Sequence, residues 1–264
     1  MKSRLVFLYV ILIFTPLALQ AQYDARQLTD LYRMTLQSRI LTERILTDVV
    51  LLDNNIKTAQ SRKKLLNDIH RFQDLSDRIM GQVPENDPQL ARLFKKWKDR
   101  AGHWIATING FSENGENILE IYKLTKAVNS SFESLKAHLE LLLGFTNENL
   151  DNFSRLLDIY INTERSFSSY VLRRSGKKTA YEKNYKDAAG KWNAPINALL
   201  KLRKQVGKKA DIRRQMNLLL SDLLFFKQAE ERNYDPLLIY TPFLNFDDKY
   251  DRLFELIFKT SQWI

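Results

Sequence analysis

The chain has 264 residues, 41 Lys and Arg against 31 Asp and Glu, 8 Gly, 3 His and no Cys. The lack of Cys excludes disulfides, thiolate metal sites, iron–sulfur clusters, c-type haem attachment and a cysteine nucleophile. Eight glycines are too few for the usual β-rich or Gly-loop nucleotide folds, while 44% hydrophobic residues suffice for a packed core.

Residues 1–21 read as a secretory signal peptide. Lys2 and Arg4 precede an apolar run from Leu5 to Leu19, and the small Ala21 stands before Gln22-Tyr23-Asp24. The run is shorter than the roughly 20 residues that span a bilayer, so cleavage after Ala21 is expected, the competing reading being an uncleaved anchor. With no Cys behind the run, lipoprotein attachment is excluded. The expected location is periplasmic or secreted.

Downstream, three–four spacing of apolar residues predicts helices near 24–53, 57–80, 88–109, 116–143, 148–174, 178–206 and 209–232, with one more at the C-terminus. The clearest seam runs Ile118, Ile121, Thr125, Val128, Phe132, Leu135, Leu139, Leu142. Leu93, Trp97, Ala101, Trp104 and Ile108 form another, as do Ile212, Met216, Leu219, Leu223 and Phe226. Trp97 and Trp104 read as core knobs, His138 as a boundary residue, and Asp99 with His103 as an ordinary helix pair. Pro195 is expected to kink or restart the sixth helix because it lacks a backbone donor. The fold class is all-α.

A shift of 121 positions superposes Thr42-Glu43-Arg44 on Thr163-Glu164-Arg165, Val50-Leu51 on Val171-Leu172, and Lys57-Thr58-Ala59 on Lys178-Thr179-Ala180. Eight of 18 ungapped positions are identical, where unrelated segments would share about one. The expected architecture is two tandem antiparallel four-helix bundles, residues 22–143 and a diverged 144–264.

On the first helix the seam positions Thr35, Ser38 and Thr42 are small hydroxyls, flanked by Arg39 and Arg44. Such a stripe has two readings. Guanidinium donors beside hydroxyls suit a small planar anion; alternatively, small residues permit close helix approach while Arg39 and Glu43 form a surface i,i+4 pair.

Arg39-Ile40-Leu41-Thr42-Glu43-Arg44 resembles the sensor box of PilJ-type domains, the N-terminal domains of type IV pili methyl-accepting chemotaxis transducers. It is also similar to the box of NarX-type nitrate/nitrite sensors. Arg39, Ile40, Thr42 and Arg44 stand where the family has Arg, Met, Ser and Arg, whereas Thr35-Leu36 replaces its Ala-Gly. The resemblance implies an extracytoplasmic sensor bundle with Arg39 contacting a small anionic ligand. Tyr160 replaces the first arginine in the second unit, which implies a degenerate site there. Family members usually carry transmembrane helices and a signalling module, and neither is seen in this sequence. The ligand signal is therefore expected to pass to an unidentified membrane or periplasmic partner, with a homodimer possible. No cofactor, metal or catalytic residue is expected.

Charge supplies a separate reading. Between Arg173 and Arg214 there are 14 Lys and Arg against three acids, a net +11, whereas the whole chain carries +10. Lys201, Arg203, Lys204, Lys208, Lys209, Arg213 and Arg214 gather around Gly207. That patch suits an anionic envelope surface or acidic partner rather than nucleic acid.

Overall fold

A computed structural model describes residues 25–83, 87–111, 118–144, 147–175 and 191–260. The expected signal peptide lies outside the described residues, as do Lys177, Lys178, Lys183 and Lys186 of the basic region.

The described residues form eight α-helices: α1 Ala25–Asp53, α2 Thr58–Gln82, α3 Pro88–Asn109, α4 Ile118–Leu143, α5 Asn147–Arg174, α6 Asn193–Val206, α7 Ala210–Glu231 and α8 Pro236–Thr260. No described helix is long and apolar enough to cross a membrane. Every member of the Ile118–Leu142 seam is buried, as is every member of the α7 seam. On α3 the stripe is led by Leu90 and Phe94 rather than Leu93, which is only half-buried. Phe72 of α2 packs against both Trp97 and Trp104, each at 5.6 Å between ring centroids. Trp104 donates its indole hydrogen to Thr125 at 2.8 Å. These tryptophans are core residues. Asp99 and His103 are exposed and do not bond to each other through their side chains.

Local chemistry accounts for the helix ends. The α1 chain turns at Asn55, in the left-handed region at φ 56°, and the Ile56 amide closes onto the Leu51 carbonyl at 2.9 Å. Asn233 at φ 57° ends α7 in the same way, with Tyr234 donating to Ala229. Asparagine tolerates this conformation better than other non-glycine residues. Helix α6 starts at Asn193, placing Pro195 in the first turn, where its missing donor costs nothing. Of the helix expected over 178–206 the described part therefore begins at Asn193, with Lys191 and Trp192 outside it and Pro195 in its first turn.

Asp87 caps α3 by accepting from the Leu90 amide at 2.8 Å, ahead of Pro88. Its second oxygen lies 3.3 Å from His138 of α4. Asp87→Ala is expected to cost about 1–2 kcal/mol, read as a lower urea midpoint at unchanged m-value.

Helix α1 packs against α2, α4 and α5, and α3 against α4. Across the second half α5 packs against α6, α7 against both α6 and α8, and α5 more lightly against α8. Some helix starts follow the 121-residue shift: α5 and α7 each start within one residue of where α1 and α3 map, and α8 starts three residues before where α4 maps.

The relation between the halves is visible in side chains. Tyr32 meets Phe153 edge-on at 5.4 Å, and Thr47 bonds Ser168 at 3.0 Å. Each pair joins residues 121 apart, and the two pairs are separated by 15 residues, about 22 Å of helix. Equivalent residues meeting at both places means that α1 and α5 run parallel and in register. The two halves of the chain thus meet along these helices, with residues 121 apart side by side.

Candidate functional site

Enclosure by neighbours makes α1 unusual. From Met34 to Asp53 all its residues but Gln37 are buried, charged ones included. Those charges must find partners inside the protein, since a buried unpaired ion costs several kcal/mol.

Arg39 and Glu43 do pair, at 2.7 Å, but with side-chain exposures of only 5% and 3%. The surface i,i+4 reading is therefore corrected, because α4 and α5 close over this face of α1. Arg165 of α5 reaches Glu43 at 2.9 Å. Burial acts to raise the Glu43 carboxyl, yet Arg39 and Arg165 outweigh it and hold it below the usual range. The Arg39 guanidinium lies 6.0 Å from the Phe132 ring centre. Its Nε and Nη1 are buried without a hydrogen-bond partner among the described residues.

Arg44 points elsewhere. Five residues on, it is turned about 140° around the helix. Its Nε donates to the Tyr160 hydroxyl at 2.7 Å, and its terminal nitrogens donate to Asp251 at 3.0 and 3.3 Å. Burial lowers its proton affinity, but Asp247 and Asp251 more than restore it. Tyr160 in turn donates to Asp247 at 2.6 Å. The structure thus does not bring Arg39 and Arg44 to one point. Thr35, Ser38 and Thr42 are satisfied by their own helix, donating to the carbonyls of Leu31, Met34 and Ser38 at 2.7, 2.9 and 2.8 Å. They act as small, self-bonded residues that let neighbouring helices approach.

The 121-residue offset also relates the two charged groups. Arg39, Glu43 and Arg165 occupy one side of the α1–α5 seam; their equivalents Tyr160, Glu164 and Arg44 occupy the other. Tyr160 accepts a bond from Arg44 and donates one to Asp247, which makes it part of the second buried group.

Around the second group the sequence reading missed a set of buried ions. Lys64 of α2 contacts Asp48 at 3.0 Å, Asp68 at 3.3 Å and Asp247 of α8 at 3.4 Å. All three aspartates are at most 4% exposed, and Glu164 is fully buried beside Thr47, Tyr160 and Asp247. Four buried carboxyls thus share two cations, the buried Arg44 and the part-buried Lys64. Burial, helped by Asp68, pushes Asp48 up to about 7 despite Lys64. Burial and the Asp247 charge push Glu164 well above the ordinary range. Arg44 and Lys64 hold Asp247 below it, against its burial. The signal in the sequence was an acid on a helical seam: Asp68 follows Ser61 and Leu65, and Asp247 follows Phe243.

Lys201, Arg203 and Lys204 lie in the last turns of α6, Lys208 and Lys209 in the connection, and Arg213 and Arg214 at the start of α7. None of the seven forms an ion pair among the described residues, although Lys201 lies near Asp151. Among the described residues no group of His, Asp and Glu is arranged to hold a metal ion. Comparison with protein-family models, curated proteins and solved structures gives no match to this chain.

Proposed function

We propose that this chain is an exported, non-catalytic sensory module of PilJ-like construction. In this reading two tandem four-helix bundles bind a small anionic ligand at Arg39 and pass the change to a partner protein. The observation that carries it is the Arg39 guanidinium, buried with two nitrogens lacking partners. A planar anion would satisfy a donor fork that otherwise costs stability. Because α4 covers Arg39 through Phe132, a ligand arriving there has to displace helix against helix, which links occupancy to bundle geometry.

Thermal unfolding of residues 22–264 with nitrate, nitrite and acetate tests this reading beside Arg39→Lys. Lysine keeps the charge facing Glu43 but loses the fork. A ligand at a hundred times its Kd adds about 2.7 kcal/mol, so one anion is expected to raise the wild-type Tm by several degrees and leave the variant unmoved. No shift with any of the three, or the same shift in both proteins, overturns the assignment.

A second reading rests on the seven cations around Gly207. That end of the molecule would dock an anionic envelope surface. Binding to phosphatidylglycerol vesicles that falls with salt and survives Arg39→Lys is its expected signature.

A further inference from the structure

A groove of about 360 Å³ opens between α1, α2 and α8, on the side of α1 away from Arg39. That volume falls within the range of small-molecule sites. Its floor is apolar: Ile40 and Leu41 from α1, Leu75 from α2 and Phe254 from α8. Charge lies around the floor, with both signs in equal number: Arg44, Arg71 and Arg78 against Asp74, Asp251 and Glu255.

Most of these charges are already engaged. Arg44 is bonded to Asp251 and Tyr160, and Arg71 lies 3.6 Å from Asp251. Glu255 accepts from Gln37 at 3.0 Å and lies 3.6 Å from Arg33. Asp74 and Arg78 differ. They stand four apart on α2, a spacing at which opposite charges usually meet, yet they form no ion pair with each other or with another described residue. Both are exposed at the groove. One wall therefore offers a free carboxylate and a free guanidinium beside an apolar floor.

This arrangement selects a ligand chemistry. A simple anion at Arg78 meets Asp74, Asp251 and Glu255; a simple cation at Asp74 meets the three arginines. A molecule with both charges on one carbon and an apolar remainder satisfies both free groups while burying apolar surface. We infer that the groove between α1, α2 and α8 binds a free α-amino acid with an apolar side chain, its ammonium on Asp74 and its carboxylate on Arg78. This site goes beyond the Arg39 reading and does not depend on it.

Titration calorimetry of residues 22–264 with L-leucine and L-phenylalanine tests the inference, beside N-acetyl-L-phenylalanine and L-phenylalaninamide. At least one free amino acid is expected to bind, each blocked derivative to bind about tenfold or more weakly, and Arg78→Gln and Asp74→Asn to lose a similar factor. Both variants alter exposed side chains and leave the core intact, and Arg39→Lys is expected to leave this binding unchanged. No binding of either amino acid at millimolar concentration overturns the inference. Equal binding of the blocked derivatives, or of the two groove variants, overturns it too.

Discussion

Replacing Lys64 with Met is expected to destabilise the protein by about 3–5 kcal/mol at pH 7.5, the cost of removing one side of a buried ion network. The Lys64 ammonium is the common partner of Asp48, Asp68 and Asp247, which come from three helices. Methionine fills a similar volume, so the loss reports charge rather than a cavity. For a chain of this size the Tm is expected to fall by on the order of 10 °C. At pH 5 the loss should shrink, because carboxyls deprived of their cation take up protons more readily. Urea denaturation at both pH values measures the two numbers. A loss below about 1 kcal/mol at pH 7.5 would mean that the cluster behaves like an exposed pair.

Wild-type stability is expected to fall as pH rises from about 4 to about 7, against the usual pattern for acid denaturation. Burial pushes the Asp48 carboxyl up to about 7 in the folded chain, against about 3.9 when unfolded. Between those values the folded state keeps a proton that the unfolded state has released, so deprotonation draws the equilibrium toward unfolding. Asp48 shares its cluster with Asp68, Asp247 and Glu164, so the decline belongs to the set and is on the order of a few kcal/mol. Glu164, raised in the same direction by burial and the Asp247 charge, adds to the decline. Asp247 and Glu43 are shifted the other way, and their contribution is lost as pH falls below the ordinary carboxyl range. The stability maximum is expected near pH 4, where the two opposing contributions meet. Asp48→Asn should flatten the slope between pH 5 and 7, and an unchanged slope in that variant assigns the effect to another group.

The two expectations share one cause. Helices α1 and α5 pack side by side, and with α2 and α8 they enclose carboxylates where water screens them poorly. Charges that would be worth tenths of a kcal/mol on a surface become, in that setting, a determinant of stability and of its response to pH. The seam is also where the halves meet, so whatever perturbs it perturbs both.

Helix positions and the repeat were legible in the chain itself, because both rest on local periodicity. Three–four spacing locates the α4 seam without tertiary information, and Asn55 and Pro195 mark boundaries through their own backbone preferences. Glu43, Arg44, Glu164 and Arg165 were marked out by recurring at an offset of 121. The environment of those residues was not legible. A charged residue reads as solvent-exposed unless its surroundings are known, and the surroundings of α1 come from helices far along the chain: Asp247 and Asp251 are more than 200 residues from Arg44. The same limit applies to Thr35, Ser38 and Thr42, where spacing shows a polar stripe but not that each hydroxyl bonds its own helix. What the sequence determined alone is an all-α chain in which polar residues of its first and fifth helices recur at an offset of 121. Tertiary structure decided that those residues are buried, that Arg39 and Arg44 face different neighbours, and that Lys64 gathers three aspartates. Helix formation is governed by contacts within a few residues, whereas the partner of a buried charge is set by which helices pack together.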